Sequence, residues 1–403
     1  MSIRQYVLSA GTRKRIPVSG TFELTPRCNL SCKMCYIRMS GEEMAARGRE
    51  LTAEEWLAVG REAVSAGMIY LLLTGGEPLL RPDFPLIYTE MVKMGVMVSV
   101  NTNGTLLTPA VLDCFVQHPP EAVNVTLYGA SHETYEALCG VGNGFERAVA
   151  GVRALREAGI RVQINTTFTA INKGDMEALI ALGRELDCPI RTTAYTFPPV
   201  RNGHELCSGC LSPEEQGRLN AAFEDLSSTP SGRESKRKLL QDVADAAQAT
   251  ETAEPVPINQ TAETTEPTQT AQAPDSVAAT EPHRMGCMAG RGSFWMTWDG
   301  CMLPCGMMGD HRAARGGFRE QWDEVRRMTE DVCLPMACKT CAYKRLCPSC
   351  AAVCYAKNRD TEAVVPEMCR YVKTYVDTFL QRVSADPTVS HDPGDVNDPF
   401  VCL

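Results

Sequence analysis

The chain has 403 residues, 44% of them hydrophobic, and carries a formal net charge of −9 at pH 7. That length admits one barrel-sized domain with a smaller one beside it, and the acidic balance argues against a nucleic-acid-binding face. The sequence contains no stretch of about 18 apolar residues, so no membrane span is expected, and its 19 cysteines, an odd number, fit a closed disulfide framework poorly.

Residues 1–20 lack the apolar run of a signal peptide and read as an N-terminal extension. With thiols this numerous, a reducing cytoplasm is the expected location. From 21 to 228, short apolar runs alternate with helical patterns. Strands are predicted at 21–25, 69–73, 96–100, 123–127, 161–168 and 190–195. Helices are predicted at 52–66, 83–94, 108–116, 131–138, 145–158, 175–186 and 213–226. Thr52 with Glu55 forms a capping box, Pro109 suits a first helical position, and Gly159 is a stop signal. Six strand–helix units in succession predict an α/β fold, a partial (β/α)6 TIM-like barrel whose active site is built by the loops after its strands.

The segment 229–284 reads as a helix, 234–248, followed by a linker. Residues 249–282 have no aromatic, no Lys or Arg and six acidic residues, a composition that cannot bury enough apolar surface to order itself. Residues 285–384 form a cysteine-rich unit that opens with a hairpin, 292–298 and 302–307, around Asp299-Gly300, and closes with a helix, 366–384. Residues 385–403 read as a flexible tail.

Directly after the first strand lies T-P-R-C-N-L-S-C-K-M-C-Y-I, with Cys28, Cys32 and Cys35 spaced CxxxCxxC. Three thiolates on one short loop suit three irons of a 4Fe–4S cluster and leave the fourth open to a ligand. After the second strand comes Thr74-Gly75-Gly76-Glu77-Pro78, whose paired glycines permit close approach and whose Glu77 offers a carboxylate to an ammonium. Together the two motifs resemble those of the radical S-adenosylmethionine (radical SAM) superfamily.

That resemblance implies that the cofactor's methionine chelates the open iron. An electron from the cluster then breaks the sulfur–5′-carbon bond, and a 5′-deoxyadenosyl radical abstracts hydrogen from the substrate. It implies that Gly75, Gly76, Glu77 and Pro78 hold the amino group, and that the polar run Asn101, Thr102, Asn103 contacts ribose and carboxylate, with Asn165 in a similar part. The position before the third cysteine, often aromatic in the family, is Met34, and Tyr36 follows the motif, so the adenine contact falls to Met34 or Tyr36.

Ten cysteines lie between Cys287 and Cys369, with the core C-K-T-C-A-Y-K-R-L-C-P-S-C-A-A-V-C. The pattern resembles the SPASM extension of radical SAM enzymes and implies two auxiliary 4Fe–4S clusters. One would take Cys287, Cys305 and Cys354, with Cys301 or Cys350 as candidates for completing it. The other would take Cys338, Cys341, Cys347 and Cys369, leaving Cys333 spare. CxxC pairs suit structural zinc as well.

The resemblance also implies a peptide or protein substrate, with crosslinking or oxidation as outcomes, and an electron donor such as flavodoxin or ferredoxin. A small-molecule substrate, as in tetrapyrrole maturation, is the same-class alternative; a non-catalytic iron–sulfur or zinc-binding module is the alternative from another class. Cys207 and Cys210 form a further CxxC, Cys114, Cys139 and Cys188 read as buried small residues, and Tyr128 reads as a substrate contact or a filled barrel position.

Overall fold

The computed structural model describes residues 2–193, 209–252 and 282–385. The expected linker beyond residue 252, Cys207 and the tail beyond residue 385 lie outside the described residues. Strands β1 (Ser19–Glu23), β2 (Tyr70–Thr74), β3 (Met97–Thr102), β4 (Ala122–Thr126), β5 (Val162–Thr167) and β6 (Ile190–Thr193) lie side by side and parallel, each next to its predecessor. Among the described residues no described helix is long and apolar enough to cross a membrane.

Alternation along each strand builds two faces. Val98, Val100, Val123, Val125, Val162 and Ile164 are buried on the outer face in one continuous core. The intervening positions are polar and in register: Asn101 pairs with Asn124, Thr126 with Asn165, and Asn165 with Arg191. This polar row lines the inside of the wall.

The helices follow chain order. The N-terminal part holds α1 (Ile3–Lys14), α2 (Gly41–Arg47), α3 (Ala53–Ser65), α4 (Phe84–Lys93) and α5 (Pro109–Gln117). Next come α6 (His132–Cys139), α7 (Gly144–Glu157), α8 (Met176–Glu185), α9 (Pro213–Ser227) and α10 (Pro230–Thr252). The sequence misses α1 and α2, although Ser2 with Gln5 and Ser40 with Glu43 form capping boxes. Arg4 of α1 sits over the Tyr70 ring at 4.6 Å and pairs with Glu121, so the N-terminal segment is packed against the barrel. Helix α10 also runs to Thr252, past the expected linker boundary.

The C-terminal region contains β7 (Ser293–Met296), β8 (Met302–Leu303), α11 (Phe318–Met328), α12 (Ala351–Asn358) and α13 (Pro366–Ala385). The hairpin is not free-standing. β7 pairs in parallel with β1, Ser19 opposite Ser293, and extends the sheet to eight strands. Its strands are shorter than predicted because Thr297 N–H already donates to Cys301 C=O, which turns the chain after Met296. At the other side α13 packs on α9, where Gly217 allows close approach: a Cβ there would lie 2.6 Å from Tyr371 O.

Phe22 of β1 ties these parts together. It is fully buried, stacks on Trp56 of α3 at 5.0 Å and meets Phe294 of β7 at 6.2 Å. Phe22→Ala should therefore cost about 3–5 kcal/mol, by lost transfer and an unfilled cavity. Urea denaturation checks this, and a loss below about 1 kcal/mol would contradict the junction.

Candidate active site

The C-terminal ends of β1–β6 open onto a cavity of about 550 Å³. All three motif cysteines border it, together with Met34 and Tyr36. So do Thr74, Gly75 and Gly76 from the end of β2, and Asn101, Thr102 and Asn103 from β3. Asn165 of β5, Tyr128 after β4, Met307 from the C-terminal region and Arg191 of β6 also border it.

The cysteine loop has no regular secondary structure and is held by its neighbours. Ser31 N–H donates to Cys139 O at 2.8 Å and Lys33 N–H to Leu138 O at 3.0 Å, which ties the loop to the end of α6. Cys28 Sγ accepts from Leu30 N–H at 3.4 Å, and Cys35 Sγ from Arg38 N–H at 3.3 Å. Burial pushes the Cys28 thiol up to about 12 and the Cys35 thiol up as well. The Cys32 thiol is raised chiefly by its hydrogen bond with Cys139, and then by burial. Three soft donors that do not ionise readily by themselves suit a site where iron supplies the positive charge. Among the described residues no three Cys, His, Asp or Glu are grouped tightly enough for a single metal ion; the fit rests on the donor chemistry and on the shared cavity.

Neither Glu77 nor Pro78 is among the residues that border the cavity. Glu77 is fully buried, and its carboxylate accepts from Leu79 N–H at 3.0 Å, Thr102 Oγ1 at 2.8 Å and Asn103 N–H at 2.7 Å. Asn103 in turn donates from Nδ2 to Asn29 Oδ1 at 2.9 Å and to Cys28 Sγ at 3.8 Å. Glu77 is thus placed as a brace from β2 through β3 to the cysteine loop. The glycines before it make room for that loop: Gly76 N–H donates to Thr25 O at 2.7 Å and Glu77 N–H to Arg27 O at 2.8 Å. Asn101 accepts from Asn124 Nδ2 at 2.8 Å.

Burial pushes the Glu77 carboxyl up to about 7, against the three donors, which pull it down. Its folded value exceeds the unfolded one of about 4.3, so its contribution to stability is complete below that pH and is lost as pH rises through 7. The loss is on the order of 3 kcal/mol. In metal-free protein, the wild type should lose stability relative to Glu77→Gln between pH 5 and 8; equal pH slopes in urea denaturation would contradict this.

Among the C-terminal cysteines, the charges of Cys287 and Cys350 add to the burial that pushes Cys305 up to about 11. Cys369, Cys338 and Cys341 act in the same way on Cys347, also raised to about 11 mainly by burial. Cys287 thus neighbours Cys305 and Cys350, and Cys338 neighbours Cys341, Cys347 and Cys369, while Cys354 lies close to both Cys350 and Cys338. Cys354 is buried, neighbours Cys350 and exchanges a hydrogen bond with Ser349 Oγ at 3.6 Å. Cys301 is buried against Arg312.

Sequence reasoning missed Arg191 and Met307. A charged residue inside an otherwise neutral barrel strand was the available signal for Arg191; Met307 lies outside any recognised motif. The reading of Cys139 as a buried small residue holds, and its thiol lies beside that of Cys32.

The profile described as the Radical SAM superfamily matches residues 22–183. An AdoMet-dependent heme synthase of Methanosarcina barkeri (strain Fusaro) is 30% identical over 346 residues, which is 84% of this chain and 92% of that protein. A PqqA peptide cyclase of Ruegeria pomeroyi is 30% identical over 170 residues, 42% of this chain and 45% of that protein. The crystal structure of Streptococcus suis SuiB bound to precursor peptide SuiA aligns with a TM-score of 0.60 at 16% identity, covering 91% of this chain and 80% of that one, a likeness of fold.

Proposed function

The chain belongs to the radical SAM superfamily, and from that premise we propose that it acts on a tetrapyrrole-class small molecule rather than on the peptide expected from the cysteine pattern. One observation carries the substrate class: similarity to the heme synthase extends over 84% of the chain, barrel and C-terminal region alike. The peptide cyclase match reaches 42%.

In this reading Cys28, Cys32 and Cys35 hold the 4Fe–4S cluster, and Gly75, Gly76 and Asn101 border the seat of S-adenosylmethionine. When bound, the pair supplies reductive cleavage of the cofactor's sulfonium and hence a strong hydrogen-atom abstractor. The protein's part is positioning and exclusion of water: Glu77 and Asn103 fix the cysteine loop, while Tyr128 and Met307 wall the cavity. The two C-terminal groups, Cys287, Cys305, Cys350 and Cys338, Cys341, Cys347, Cys369, are the candidate holders of auxiliary clusters, with Cys354 next to members of both. About twelve irons per chain would match three clusters; about four irons plus zinc would remove the auxiliary ones. A flavodoxin or ferredoxin is the proposed electron donor.

The test is anaerobic reconstitution followed by dithionite and S-adenosylmethionine. Iron-loaded coproporphyrin III should raise 5′-deoxyadenosine formation above the uncoupled rate. The peptide reading, supported by the cyclase match, would gain if a precursor peptide did so instead. No cofactor cleavage by fully loaded protein would overturn both.

A further inference from the structure

Several arginines near the cavity are already engaged. Arg27 grips Glu50 through two bonds of 2.8 Å, Arg81 grips Asp83 at 2.7 and 2.9 Å, and Arg147 donates to Thr105 O at 2.7 Å. Arg191 is different. It is exposed on β6, borders the cavity, and forms no ion pair among the described residues. It also carries the one charged side chain among the described residues that border the cavity.

Register places it on the inner face. Arg191 pairs with Asn165, and Asn165 with Thr126. All three border the cavity. A guanidinium presents a rigid fork of donors that matches a carboxylate through two parallel hydrogen bonds. Nothing described in the chain supplies that carboxylate. We infer that Arg191 binds a carboxylate of the substrate.

Arg191 stands on a strand other than those that carry the cofactor motifs. The cysteine loop follows β1, and β6 is five strands away in the sheet order. The two lie on different parts of the wall around the one cavity they share. A cofactor seated against the cysteines and Gly75–Gly76 lies on the β1–β3 side, and Arg191 faces what enters from the other. The inference rests on the tetrapyrrole reading, since porphyrins of that class carry several carboxylates around an apolar ring. Such a ligand would set its macrocycle against Tyr128 and Met307 and an acid group at Arg191.

The test measures binding to the reconstituted wild type, Arg191→Gln and Arg191→Lys. The probes are coproporphyrin III, its tetramethyl ester and S-adenosylmethionine. Arg191→Gln should weaken coproporphyrin III at least tenfold and Arg191→Lys less. Neither should change affinity for the ester or S-adenosylmethionine, which also verifies an intact fold. Equal binding of the free acid by wild type and Arg191→Gln would overturn the inference while leaving the tetrapyrrole reading standing. A loss confined to S-adenosylmethionine would overturn it in favour of the cofactor's carboxylate. Failure of the wild type to bind coproporphyrin III would overturn the tetrapyrrole reading, and this inference with it.

Discussion

Cys32→Ser should abolish S-adenosylmethionine cleavage, at least a thousandfold below wild type, and remove about four irons from each chain. Cys32 is the central one of the three proposed ligands, flanked in sequence by Cys28 and Cys35, and all three border the cavity. Serine is nearly isosteric, so the fold should survive. Its oxygen is a harder and far less acidic donor, poorly matched to iron that prefers thiolate. The Cys139 thiol beside Cys32 supplies a control. Cys139→Ala removes the neighbouring thiol and should keep the iron, because Cys139 is fully buried behind the loop. Iron analysis and 5′-deoxyadenosine formation read both variants. Full iron and activity in Cys32→Ser would sink the assignment of this loop as the cluster site.

Gly76→Ala should come second in size, although Gly76 is not a ligand. A Cβ there would lie 2.3 Å from Arg27 O and 2.7 Å from Pro26 O, both backbone atoms that cannot swing aside. The segment that would have to move leads directly into Cys28. Its other supports oppose the shift: Arg27 is clamped to Glu50, and Arg81 donates to Leu24 O at 3.0 Å. Overpacking of this kind costs typically 1–3 kcal/mol, and displacing the loop should lower affinity for S-adenosylmethionine at least a hundredfold. Gly174→Ala is the matched control, because a Cβ there would meet nothing within 4 Å. Unchanged cofactor affinity and iron content in Gly76→Ala would show that the loop does not depend on this contact.

The barrel was legible because its strands are written locally. Leu71 and Leu73, or Val123 and Val125, fill the core from runs that read as buried strands. Helix α1 was missed because it buries little: Gly11 is its one fully buried residue, so no apolar stripe marks it. The pairing of β7 with β1 was illegible for another reason, since strand partnership across the whole chain is set by the assembled fold rather than by either segment.

At the site, the motifs identified which residues matter but not where they point. The motif assigned Glu77 to the cofactor's ammonium, and only the donors from Thr102 and Asn103 show that its carboxylate also braces β2 to β3. Cys350 and Cys354 sit at the cap and in the first turns of α12, so spacing alone does not choose between them. Arg191 belongs to no motif, and its interest comes from what surrounds it.

The junction of β7 with β1 also sets a schedule for synthesis. β1 ends at residue 23 and β7 begins at residue 293, so roughly 270 residues emerge from the ribosome before that edge is covered. At about 5–20 residues per second the delay is on the order of 15–50 s. Throughout it, a nearly complete parallel sheet displays an open strand edge, the kind of surface that recruits other chains. Nascent chains stalled before residue 293 should therefore engage chaperones more strongly than chains released a few dozen residues later.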